Sequence, residues 1–141
     1  MTPEEVKYIV VHCSATTPDM DIGAQVIDAW HIGRGWSGIG YHGVIRRDGA
    51  LESGRELTRM GAHVRGHNSE SVGICLVGGL DDDRRPAATF TAEQYTTLKY
   101  VLGGLVRRFP GAKVVGHHDL NPRKSCPCFD VQAWWEKEQG A

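Results

Sequence analysis

The stretch Gly116-His117-His118-Asp119-Leu120-Asn121-Pro122-Arg123-Lys124-Ser125-Cys126-Pro127-Cys128-Phe129 packs two imidazoles, two cations and two thiols into fourteen residues. It follows an apolar run, residues 112–115, that reads as a short strand, so it emerges from the end of a sheet. Pro122 and Pro127 exclude regular structure across most of it and predict a fixed loop. Imidazole and thiolate are the ligand pair zinc prefers, and a histidine on a strand end with a cysteine on the following loop supplies two ligands. The spacing matches no structural zinc finger, which needs two ligand pairs. A third ligand must come from elsewhere, and the most suggestive place is His12, at the end of the first predicted strand.

Upstream of that loop, Thr91-Ala92-Glu93-Gln94 is a capping box. The helix after it carries Tyr95, Leu98, Val101, Leu102, Leu105, Val106 and Phe109 along one stripe, until Pro110-Gly111 stops it. Downstream, Asp130 is placed to cap a terminal helix whose Trp134 and Trp135 pack back on the body. Residues 7–12, Lys-Tyr-Ile-Val-Val-His, form a β-branched run expected as a strand buried on both faces. Ligands of open α/β sheets gather beyond the carboxyl ends of strands, which is where His12 lies. Ile22, Val26, Ile27 and Trp30 recur at helical spacing, predicting an amphipathic helix over 22–31, with His31 on its surface near the carboxyl end. Residues 40–46 and 50–53 read as a hairpin turned by Asp48-Gly49, opened by Tyr41. Ser71 to Val77 alternates Val72, Ile74 and Leu76 against Gly73, Cys75 and Val77, with Cys75 a small core residue. Between these, residues 54–70 lose periodicity, and a loop of such length in a compact domain is commonly functional. Its His63, His67 and Asn68 are candidates for contact with a polar substrate. The Asp81-Asp82-Asp83 run lacks the glycine turn and distal glutamate of a calcium loop and reads as solvated.

At 141 residues the chain is a single α/β domain: a central mixed β-sheet flanked by about three helices. Sixteen basic and seventeen acidic residues leave a net charge of −1, which gives no support for nucleic acid bound through a basic field. No apolar stretch reaches the ~20 residues that span a bilayer. The amino terminus, Met1-Thr2-Pro3-Glu4-Glu5, has neither the basic start nor the apolar core of a signal peptide, so synthesis and retention in the cytoplasm are expected. Cys13, Cys75, Cys126 and Cys128 are then expected as thiols.

Val11-His12-Cys13-Ser14-Ala15-Thr16, Gly40-Tyr41-His42, Arg47-Asp48-Gly49, Gly61-Ala62-His63, residues 72–79 and residues 117–129 occur in that order. Together they resemble the type-2 N-acetylmuramoyl-L-alanine amidases, zinc hydrolases related to peptidoglycan recognition proteins. The likeness is strongest to the small bacteriophage lysozymes of that family and runs from Tyr8 to Trp135. It implies one amidase domain over 1–141 that cleaves the lactyl amide between N-acetylmuramic acid and L-alanine, as a phage or prophage endolysin. It also implies one zinc per chain on His12, His117 and Cys126, with Tyr41 and Lys124 as the catalytic pair. His63 and Asn68 fall in the segment bordering the substrate groove of relatives. Arg123 stands as an extra residue in the loop and competes with Lys124 as the active cation. Cys128 occupies a position expected to hold a small polar residue, and so rivals Cys126. The amino-terminal segment before the first strand is short.

Three protein ligands leave zinc an open position for water, and the tetrahedral oxyanion formed on attack would meet Lys124 and Tyr41. No His-Glu-x-x-His helix is present to supply a glutamate base. A thiol hydrolase on Cys13 is disfavoured because strand neighbours point to opposite faces. A metal nuclease, suggested by His117-His118 with Asn121-Pro122, is opposed by the near-neutral charge. Relatives that only bind peptidoglycan typically lack the cysteine ligand, and Cys126 is present. A monomer is expected, with peptidoglycan as substrate. A phage RNA polymerase is a partner by family likeness only, with no contact residues carried over. Reaching the wall is expected to need a membrane lesion made by another protein.

Overall fold

In the computed structural model, which describes residues 1–140, the sheet is built around the β-branched run near the amino terminus. That run is β1 (Tyr8–Cys13), and it lies parallel to both its neighbours, β4 (Ser71–Leu76) and β5 (Lys113–Gly116). β2 (Gly43–Ile45) runs parallel beyond β4, and β3 (Leu51–Ser53) closes the edge antiparallel to β2. The order β3-β2-β4-β1-β5 is the expected mixed sheet. β2 is shorter than the predicted 40–46 because its leading residues bond elsewhere. The Gly40 carbonyl accepts from Ala62 N–H and the Tyr41 carbonyl from Arg55 N–H, both in the long segment after β3.

Three longer helices, α1 (Ala24–Gly33), α2 (Ala92–Arg108) and α4 (Val131–Gly140), flank the sheet. A fourth, α3 (His117–Leu120), is a single turn. α2 begins at the predicted capping box: Thr91 Oγ1 accepts from Gln94 N–H at 3.1 Å, and Gln94 Oε1 accepts from Thr91 N–H at 2.9 Å. Its Leu98, Leu102 and Leu105 pack with Ile9, Val11, Ile45, Val72, Ile74 and Leu76 on one face of the sheet. Fully burying side chains such as Leu98 and Leu102 contributes about 1.5–3 kcal/mol each. α4 adds Val131 and the flanks of Trp134 and Trp135 to that core, and Asp130 Oδ1 accepts from Ala133 N–H at its start. The opposite sheet face carries Val10 and Val115 near Val64, and Val44 and Cys75 near Ile27 and Ile39.

Two expectations are corrected. α1 starts later than predicted and turns Ile27 and His31 inward, leaving Val26 and Trp30 37% and 39% exposed. His31 is therefore not a surface residue: it is buried, and its Nδ1 accepts the Gly40 N–H at 2.8 Å. His117 does not sit on a strand end. β5 stops at Gly116, and the next four residues coil into α3, with Asp119 Oδ2 accepting the Gly116 N–H at 2.7 Å.

Candidate active site

The sheet register brings the first two candidate ligands together. Val11 on β1 pairs with Gly116 on β5, so the chain beyond each delivers His12 and His117 side by side. Their ring centroids are 4.6 Å apart. The loop after α3 folds back so that the Cys126 carbonyl accepts the His118 N–H at 2.9 Å. The Cys126 sulfur in turn accepts the Cys13 N–H at 3.1 Å and lies 3.9 Å from His12 Nδ1. The donor atoms of His12, His117 and Cys126 all lie within 4.8 Å of one another.

This donor set fits zinc on chemical grounds. Burial holds the His12 imidazole well below its ordinary pKa, with the charges of His63 and His117 adding to the effect. Burial and then the Lys124 charge lower His117 in the same direction. Both imidazoles are thus kept neutral, the form that ligates a metal. Two imidazoles and one sulfur leave a tetrahedral ion one free position, and the group opens onto a cleft of about 790 Å³. Such a volume suits a small-molecule or peptide-fragment ligand.

Cys128 is not part of this group. Its backbone takes φ 75°, its Sγ donates to the Gly79 carbonyl at 3.5 Å, and burial pushes its thiol up to about 11. Cys13 is buried, and its hydrogen bond to Cys126, followed by desolvation, raises its pKa far above the ordinary thiol range. All four cysteines are free thiols, as expected.

Tyr41 borders the cleft with its ring centroid 5.1 Å from that of His12, and burial raises its phenol well above its usual value. Lys124 also borders the cleft; Arg123 is exposed like Lys124 but does not line it. His63 and Asn68 both line it. Asn68 Oδ1 accepts from His63 N–H and Val64 N–H, each at 2.9 Å, so this side chain shapes the loop that presents His63. His63 itself lies 2.8 Å from His12, with Nδ1 facing His12 Nε2. His67 stands further back, its Nδ1 2.8 Å from Glu70 Oε1.

The sequence did not mark His31, Trp36 or His42 as parts of the site. His31 and Trp36, with ring centroids 4.5 Å apart, form the wall behind Tyr41. Buried His42 pins β2 to β4: its Nδ1 accepts the Gly73 N–H at 3.0 Å, and its Nε2 donates to the Arg59 carbonyl at 2.7 Å.

Comparisons with known proteins agree with this geometry. A family model described as N-acetylmuramoyl-L-alanine amidase matches residues 2–129. An endolysin of Klebsiella phage KP32 is 48% identical over 136 residues, covering 96% of this chain and 89% of that protein. An endolysin of Escherichia phage T7 is 43% identical over 136 residues, with the same shares covered. Among solved structures, the N-acetylmuramoyl-L-alanine amidase LysC from Clostridium intestinale superposes with a TM-score of 0.80 at 28% identity, over 97% of this chain and 86% of that one. With a mixed sheet, a histidine–cysteine cluster at its carboxyl edge and near-complete coverage of these relatives, the chain belongs to the N-acetylmuramoyl-L-alanine amidase family.

Proposed function

We propose that this protein is a zinc-dependent phage or prophage endolysin that hydrolyses the amide joining N-acetylmuramic acid to L-alanine in bacterial peptidoglycan. The observation that carries this reading is the convergence of His12, His117 and Cys126, donor atoms within 4.8 Å of one another, in the lining of an open cleft. These three residues would hold the metal. Zinc bound there supplies a Lewis acid and lowers the pKa of a water molecule toward ~7.

The chain's own side chains do the rest. Lys124 and Tyr41 stand on the cleft wall as donors toward the negative charge that develops on the amide oxygen; one such donor is typically worth ~2.7–4 kcal/mol. The Tyr41 hydroxyl is protonated at neutral pH and burial raises its pKa further, so it enters the reaction as a hydrogen-bond donor. Asn68 and His63 border the cleft along which the stem peptide lies. The cation beside the reacting amide is Lys124 in preference to Arg123, because only Lys124 lines the cleft. The domain works as a single unit over 1–141, acting on the cell wall after release. No helix among the described residues is long and apolar enough to cross a membrane.

The test combines metal content with product analysis. The purified protein should contain one zinc per chain, and chelation should abolish release of L-alanine amino groups from peptidoglycan until zinc is restored. Full activity after complete metal removal would overturn the metal assignment.

A further inference from the structure

His63 enters the cleft from the irregular segment between β3 and β4 with both ring nitrogens already partnered inside the protein. One fixed acceptor sets the direction of every hydrogen bond in the chain. Ser71 Oγ lies 2.7 Å from the His67 carbonyl oxygen, which can only accept, so the Ser71 proton is committed there. Ser71 Oγ must then accept from His63 Nε2–H, 3.3 Å away. That leaves His63 Nδ1 as the bare nitrogen, and it accepts from His12 Nε2–H at 2.8 Å. His12 Nδ1 is left as a lone pair, 3.9 Å from Cys126 Sγ.

We infer that His63 is a positioning residue: it locks His12 in the Nε2–H tautomer and aims the Nδ1 lone pair at the metal-binding side, with Ser71 and the His67 carbonyl as its anchor. This rests on the zinc reading above. A histidine ligand commonly has its tautomer and ring orientation set by the hydrogen bond its other nitrogen makes.

The surrounding packing is shaped for that ring. Ser71 and Gly73 are two residues apart on β4 and so share a sheet face: one supplies the anchor, the other the room. A Cβ on Gly73 would lie 2.6 Å from His63 Cγ and Nδ1, and one on Gly61 would lie 2.7 Å from His63 Cδ2. The His42 ring, held by its own two hydrogen bonds, meets His63 edge-on at 5.7 Å between centroids. With both nitrogens occupied and the ring clamped, His63 has no spare polar atom for a substrate.

Two measurements on the full-length chain test this. Long-range proton–nitrogen NMR of the imidazoles, in the metal-free and zinc-loaded protein, should find His12 protonated on Nε2 and bare on Nδ1, and His63 protonated on Nε2. Finding the His12 proton on Nδ1 would overturn the inference without any mutation. Zinc affinity, read by chelator competition, should fall ~10–100-fold in His63→Ala. His63→Asn, whose Oδ1 can stand as the acceptor in place of Nδ1, should recover most of that loss. Unchanged affinity in His63→Ala, or a His63→Asn no better than His63→Ala, would overturn the positioning role. If the parent chain itself binds no zinc, the functional reading fails first; if it binds zinc with His12 protonated on Nδ1, the His63 assignment fails alone.

Discussion

The backbone N–H of Cys13 donates to the sulfur of Cys126 at 3.1 Å, joining the last residue of β1 to a loop residue 113 positions later. A sulfur that accepts a backbone hydrogen bond beside two neutral imidazoles is set up as a metal donor. Cys126→Ala should therefore lose most of the bound zinc, while Cys128→Ala should keep it, since the Cys128 thiol faces the Gly79 carbonyl instead. Metal analysis of the two purified variants checks this. Zinc lost from Cys128→Ala and kept in Cys126→Ala would move the ligand along the loop.

Tyr41→Phe should keep the fold and the zinc but turn over ~10²–10³-fold more slowly, because only the hydroxyl donor is removed. Lys124→Ala should lose activity on a similar scale. Arg123→Ala should stay near the parent, as Arg123 does not line the cleft that Lys124 lines. Equal losses at Arg123 and Lys124, measured as kcat on peptidoglycan, would remove the distinction between them.

Cys13→Ala should retain substantial hydrolysis. The Cys13 thiol is buried, and its pKa is raised by its hydrogen bond to Cys126 and by desolvation, so it is not a thiolate at neutral pH. Complete loss of activity with zinc still bound would make it the nucleophile.

Gln94 predicts a stability effect remote from the chemistry. Its side chain is fully buried, donates to the Val77 carbonyl at 2.8 Å and the Ile45 carbonyl at 3.1 Å, and accepts from Arg47 Nη1 at 3.1 Å. Gln94→Ala should cost about 2–4 kcal/mol by denaturant titration, since it strips a cap and removes three further buried hydrogen bonds, although the Ile45 and Val77 carbonyls keep Val77 N–H and Arg47 Nη1 as donors. Thr91→Ala removes the cap and the hydroxyl's bond to the Arg47 carbonyl but leaves the buried Gln94 contacts, and should cost about 1 kcal/mol. Equal costs would mean that Gln94 acts only at the helix end.

Which parts of this molecule the sequence disclosed follows from the range of the interactions. The start of α2 was legible because a capping box is closed within four residues, and β4 because alternation is a property of neighbours. The grouping of His12, His117 and Cys126 was legible through the likeness of whole motifs, although spacing alone left its third member open. His31 was misread because its burial depends on Gly40, which the helical pattern around Ile27 does not contain. The His12–His63 contact spans 51 positions and starts in a segment without periodicity, so nothing local marks it. Ser71 likewise reads as an ordinary strand residue until His63 is seen beside it.

End-group analysis of purified peptidoglycan after digestion tests the proposed reaction most directly. Cleavage of the muramoyl–L-alanine amide predicts new L-alanine amino termini, intact glycan strands and no rise in reducing sugar ends. Reducing ends without L-alanine termini would mark a glycosidase, and amino groups released from within the stem peptide, with L-alanine still attached to the sugar, would mark an endopeptidase. Either result would contradict the amidase assignment, whatever the zinc content.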